Sequence, residues 1–163
     1  MNNLIKITGN CVTLLFLSLG IVSCSESSDE TQHIEFVSKS NSGCKNTVEK
    51  NRMQFKNRLP SECIKCKALD NGVLLITHAN ADFSCEQESI LTSVEIKENT
   101  VIVTEKQELS KTNCICFYDM YYTMSGLIQG KKYSVIITNG KYDIGRLTFV
   151  YNSSLETIKD IEK

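Results

Sequence analysis

Hydrophobic and polar positions divide this chain into three zones. Val12 to Val22 is an apolar run. Residues 25–33, Ser-Glu-Ser-Ser-Asp-Glu-Thr-Gln-His, are polar and acidic and offer nothing to bury. From residue 73 onward apolar and polar positions alternate with a period of two, the spacing of strands with one buried face. Val73, Leu75 and Thr77 alternate with Leu74, Ile76 and His78. Ile90, Thr92, Val94 and Ile96 form a second set, Val101 and Val103 a third. Cys114, Cys116, Tyr118, Met120, Tyr122 and Met124 share one face of a long strand; Ile115, Phe117 and Tyr121 share the other with Asp119 and Thr123. Apolar residues on both faces predict a central strand. Tyr133, Val135 and Ile137, then Leu147, Phe149 and Tyr151, complete the series.

The connections carry turn chemistry. Asp70-Asn71-Gly72, Glu98-Asn99 and Asn139-Gly140 interrupt the alternation, and Asn and Gly tolerate positive φ. Residues 34–38 and 62–69 read as further strands. Thr47 to Asn57 predicts a helical turn, and Leu155 to Lys163 a short surface helix. Short strands every 8–12 residues predict an all-β sandwich over residues 34–152, with 153–163 as a tail.

The apolar run is too short to span a bilayer, which takes roughly 20 residues. With Lys6 before it and small residues after, it fits a secretory leader over residues 1–23. Ile21-Val22-Ser23-Cys24 resembles the lipobox of bacterial lipoproteins. That resemblance implies cleavage before Cys24 and acyl chains, palmitate among them, on its sulfur and new amino terminus. The alternative is an ordinary signal peptide with an incidental cysteine. One chain binds a membrane marginally, at about 0.8 kcal/mol per buried methylene, whereas two or three hold permanently. Residues 24–33 then form a flexible tether of about 16 Å root-mean-square length. Its acidic start resembles the surface-export signal of lipoproteins in the Bacteroides group, which implies an outer-membrane, surface-exposed location.

The chain after the leader has 17 cations and 19 acids, a net charge of −2. That balance, with no basic stripe, excludes a nucleic-acid partner of the usual kind. Of eight cysteines, Cys11 falls in the leader and Cys24 is the lipid site. Cys44, Cys63, Cys66, Cys85, Cys114 and Cys116 remain, an even number that predicts a disulfide framework in an exported chain, with 15 connectivities open.

Leu127-Ile128-Gln129-Gly130-Lys131-Lys132-Tyr133-Ser134-Val135 contains the pattern Leu-x-x-Gly-x-x-Tyr-x-Val. Leu127, Gly130 and Tyr133 resemble the corner before the sixth strand of immunoglobulin-like and fibronectin type III domains, where a tyrosine hydroxyl bonds back to the backbone. The resemblance implies that strand 114–124 is the fifth, that 73–84 is the second, and that the two are antiparallel neighbours. Cys85 then lies near Cys114 and Cys116, which share a face and take Cys85 and Cys44 as partners. Cys63 and Cys66 are left to pair together or stay reduced.

Phe83-Ser84-Cys85, Cys114-Ile115-Cys116-Phe117-Tyr118-Asp119, Gly126-Leu127 and Gly130-Lys131-Lys132-Tyr133 together resemble an uncharacterised family of small Bacteroides-type lipoproteins. Leu74 to Asn80 and Ser42-Gly43-Cys44-Lys45 extend the likeness to residues 42–138. Cys63 and Cys66 lie outside its pattern. The resemblance implies location and fold and carries no activity.

Candidate chemistry is sparse. Cys63-Ile64-Lys65-Cys66 has the spacing of a dithiol redox motif but sits in strand sequence, without the helix N-terminus that lowers a thiol pKa. Joined to Cys114 and Cys116 it makes a four-thiolate zinc site conceivable. Envelope thiol oxidoreductase or metal binding through Cys63 and Cys66 is thus the alternative function. His78 reads as a core or edge histidine bonded to backbone, Asp82 as a turn residue and Asp119 as solvent-facing. Tyr118, Tyr121, Tyr122 and Tyr142 are candidates for stacking on sugars. The reading favoured by the sequence is a non-enzymatic binding or structural module at the envelope, with no cofactor and with a protein or glycan partner.

Overall fold

The computed structural model describes residues 33–45, 47–49, 60–108 and 112–162. The expected leader, Cys24 and the tether before His33 lie outside them. Among the described residues the chain is all-β, with ten strands in two sheets. The strands are β1 (Glu35–Asn41), β2 (Thr47–Glu49), β3 (Cys63–Leu69), β4 (Val73–Ser84), β5 (Ile90–Lys97), β6 (Thr100–Gln107), β7 (Cys114–Ser125), β8 (Lys132–Thr138), β9 (Asp143–Val150) and β10 (Glu156–Asp160). The first sheet runs β1-β7-β4-β3-β10, with β2 also pairing to β7; the second runs β5-β6-β8-β9.

Alternation decides which faces meet. Ile64 and Cys66 of β3, Leu74 and Ile76 of β4, and Tyr118 and Tyr122 of β7 point inward from the first sheet. Val101 and Val103 of β6, Val135 and Ile137 of β8, and Leu147 and Phe149 of β9 meet them from the second. Each such apolar side chain contributes roughly 1.5–3 kcal/mol when removed from water. As its two apolar faces predict, β7 is central, lying between β1 and β4.

The expected neighbours are neighbours: β4 and β7 pair antiparallel from Leu74↔Met124 to Ser84↔Ile115. They are the fourth and seventh described strands, however, and β6 pairs with β8 in parallel, Thr100↔Ser134 to Thr104↔Thr138. A β4 bulge between His78 and Ala81 adds one residue opposite β7. It shifts the alternation, so that His78 and Ala81, three apart, are both inward and buried. Asn80 takes the left-handed conformation there, φ 58°.

Two expected helical pieces are strands. Thr47–Glu49 pairs with Cys114–Cys116, so the helical turn is absent from its first three residues; residues 50–57 of that expectation lie outside the described set. The tail forms β10, pairing Glu156↔Lys67 through Asp160↔Cys63. The open backbone edge of β3 supplies its partner groups, and Thr157 and Ile158 are β-branched and suit a strand.

Strand directions define two ends. At one, β1 begins beside the end of β7, Glu35↔Ser125. At the other, β4 ends beside the start of β7. Gln107 accepts a hydrogen bond from Ser84 N–H at 2.6 Å, so β6 also ends there, as does its parallel neighbour β8. The chain therefore enters the fold at the end opposite the β8–β9 turn.

Candidate functional site

Both disulfides sit at the far end. Cys44–Cys116 and Cys85–Cys114 have Cα separations of 5.6 and 5.5 Å, inside the reach of a bridge. They enclose 72 and 29 residues of separation, worth about 4 kcal/mol each by loop-closure entropy. Both sulfurs of the Cys-x-Cys pair are thereby committed, which removes them from a four-thiolate zinc site.

Cys63 and Cys66 are free thiols, both buried. Cys66 shares the inward parity of Ile64, while Cys63 lies on the opposite face of β3. Burial raises the Cys63 thiol and pushes that of Cys66 up to about 12. Neither environment favours the thiolate that redox exchange requires.

The sequence placed His78 on backbone partners; the structure corrects this. His78 is 1% exposed and stands between two carboxylates. Its Nε2 lies 2.7 Å from Glu62 Oε1 and its Nδ1 2.7 Å from Glu105 Oε2. Tyr122 donates its hydroxyl hydrogen to the other Glu105 oxygen at 2.8 Å. Neutral imidazole carries one N–H, so donating to both carboxylates takes the imidazolium. Burial opposes that charge, but the bonds to Glu105 and Glu62 prevail and raise the His78 pKa to about 9. Burial, and then the Glu105 charge, push the Tyr122 hydroxyl well above the ordinary tyrosine range. Tyr122 and His78 belong to the first sheet and Glu105 to the second, so the network clasps the sheets together.

A second polar cluster fixes the bulge from outside. Asp119, expected to face solvent, is half-buried. It takes Lys45 Nζ at 2.6 Å and Asn80 N–H at 3.0 Å on the same oxygen, and its own N–H donates to Ser42 Oγ at 3.0 Å. Burial works against the carboxylate, yet Lys45 and the Asn80 N–H hold its pKa below the ordinary value. The likeness to lipoproteins rested partly on Ser42, Lys45, Asn80 and Asp119, which meet here around one backbone irregularity.

Tyr133 holds the loop before β8 through its hydroxyl. Ile128 N–H donates to the Tyr133 hydroxyl at 2.9 Å; Leu127 is buried beneath it and Gly130 is left-handed, φ 78°.

A groove of about 1070 Å³ opens at the far end. Glu62 and Glu105, both buried, form its floor, so the His78 clasp lies directly beneath it. Asp82, Lys106, Lys141 and Tyr142 line it from the ends of β4 and β6 and from the β8–β9 turn. Of the tyrosines noted for sugar stacking, Tyr118 and Tyr122 are core, Tyr121 is half-buried, and Tyr142 is 66% exposed. The turn that presents it is tightly bonded: Asn139 Oδ1 accepts from Lys141 N–H and Tyr142 N–H at 2.9 and 3.1 Å. Thr138 Oγ1 donates to the Tyr142 carbonyl at 2.7 Å.

Glu62 and Glu105 went unremarked in the sequence. The signal for Glu105 was present, since it continues the inward positions Val101 and Val103. Among the described residues no group of three or more His, Cys, Asp or Glu side chains is arranged to hold a metal ion, and no helix is long and apolar enough to cross a membrane. Comparison with protein-family models, curated proteins and solved structures gave no match.

Proposed function

We propose that this chain is an exported bacterial lipoprotein, held on the outer membrane by acyl chains at Cys24 and surface-exposed, where it serves as a non-enzymatic binding module. The observation that carries the binding role is the groove at the far end, floored by a bonded network. The described chain begins at His33, nine residues after Cys24 and at the opposite end of the strands. The Ile21-Val22-Ser23-Cys24 sequence supports the anchor, and the disulfides accord with an oxidising compartment.

The fold belongs with immunoglobulin-like sandwiches on the strength of the Tyr133 corner and the β4–β7 pairing. The parallel β6–β8 pair makes it a variant of that plan, whose sheets are antiparallel. Partners are an envelope protein or a glycan reached through the groove.

Metabolic labelling with an alkyne-tagged palmitate tests the anchor. The wild-type chain is expected to take up label, lose residues 1–23 by mass spectrometry and sediment with outer membranes. Cys24→Ala is expected to be unlabelled. An unlabelled wild-type chain that keeps its leader would overturn the reading.

A further inference from the structure

We infer that the far-end groove is a saccharide site, taking an uncharged, hydroxyl-rich chain that stacks a sugar face on Tyr142. This deepens the binding-module reading and rests on it.

Three observations lead there. The exposed charges at the rim of the groove are mixed, Asp82, Asp143 and Glu162 standing with Lys106 and Lys141, while the two floor carboxylates, Glu62 and Glu105, are buried and already bonded to His78. A polyanion would meet three carboxylates, and a polycation two ammonium groups. A neutral polyol meets acceptors and donors together, and each hydroxyl is both donor and acceptor. The second observation is Tyr142, the one exposed aromatic ring lining this groove among the described residues. An aromatic side chain combines an apolar face with a polar tip, and that suits a sugar ring, apolar on its C–H face and polar at its edge. The third is preorganisation. Asn139 and Thr138 fix the backbone of Tyr142 before any ligand arrives, and Glu62 and Glu105 are held by His78. Little ordering remains to be done on binding, which matters for a ligand held by few contacts.

Native gel electrophoresis through dissolved polysaccharide tests the inference on the full acylated chain in mild detergent. Mannan, xylan, dextran and a mixed-linkage β-glucan serve as neutral probes, and alginate as the anionic one. The wild type is expected to be retarded in at least one neutral gel. Tyr142→Ala is expected to weaken that retardation on the order of tenfold, while Tyr142→Phe retains it. Tyr142 is exposed, so circular dichroism should be unchanged in both variants. Retardation in none of the neutral gels, in alginate alone, or equally in Tyr142→Ala overturns the saccharide assignment. Capture of an envelope protein that Tyr142→Ala abolishes, with no retardation in any gel, would overturn the saccharide and leave the binding module standing. Absence of both effects would remove the groove from function altogether.

Discussion

His78 shows how a single side chain ties stability to pH. Its folded pKa of about 9 lies above its ordinary value of 6.5. The stabilisation is therefore complete below about pH 6.5 and drains away as pH rises through 9. The shift corresponds to about 3 kcal/mol. Urea midpoints measured from pH 6 to pH 10 should fall for the wild type, and the slope should largely vanish in His78→Gln. Glu105 and Glu62 bond the ring and set this behaviour, and Tyr122 bonds Glu105; Glu105→Ala would strand both His78 and Tyr122, at about 3–5 kcal/mol. Gly126 is constrained for a different reason. It is left-handed, φ 79°, and an added Cβ would collide with the His33 carbonyl oxygen. Gly126→Ala is expected to lower stability by about 1–3 kcal/mol in chemical denaturation, through displacement of the chain leading into β1.

Among the elements, β7 carries the most. It pairs with β1, β2 and β4, fills both faces and bears one cysteine of each disulfide. Removing the shorter staple with Cys85→Ser and Cys114→Ser together should cost about 3–4 kcal/mol by loop-closure entropy, read as a lowered urea midpoint. In unfolded wild-type chain without reductant, Cys63 and Cys66 should be the thiols that react. The start of strand β4 was legible in the sequence, because Val73 to His78 alternate and an Asn-Gly turn precedes them, whereas its extent to Ser84 came only with the resemblance to immunoglobulin-like domains. Strand β10 was not. Leu155, Ile158 and Ile161 recur every three residues and imitate a helix face, and only the vacant edge of β3 decides otherwise. The bulge escaped for a similar reason: nothing near Asn80 in sequence reveals that Asp119 and Lys45 will hold its backbone.

Over the whole molecule, alternation and turn residues were enough to place the chain among two-sheet proteins. They could not supply how the sheets are stitched. A parallel β6–β8 pair requires that β7 cross to the other sheet and return, and local periodicity carries no record of such a path. The floor of the groove was hidden likewise. His78 and Glu105 each interrupt an apolar face, and the meaning of either appears only when both sheets are assembled.

Two bridges ending at positions 114 and 116 have a consequence for how the chain finds its alignment. A strand can slide by two residues and keep every side chain on its proper side, so oil-and-water sorting is blind to that error for β4 against β7. A slide of that size would bring the sulfur of Cys85 to Cys116 and leave Cys44 with a mismatched neighbour. Closing both bonds at once thus proofreads the alignment, and a misaligned copy would betray itself to an exchange enzyme by its unsatisfied thiols.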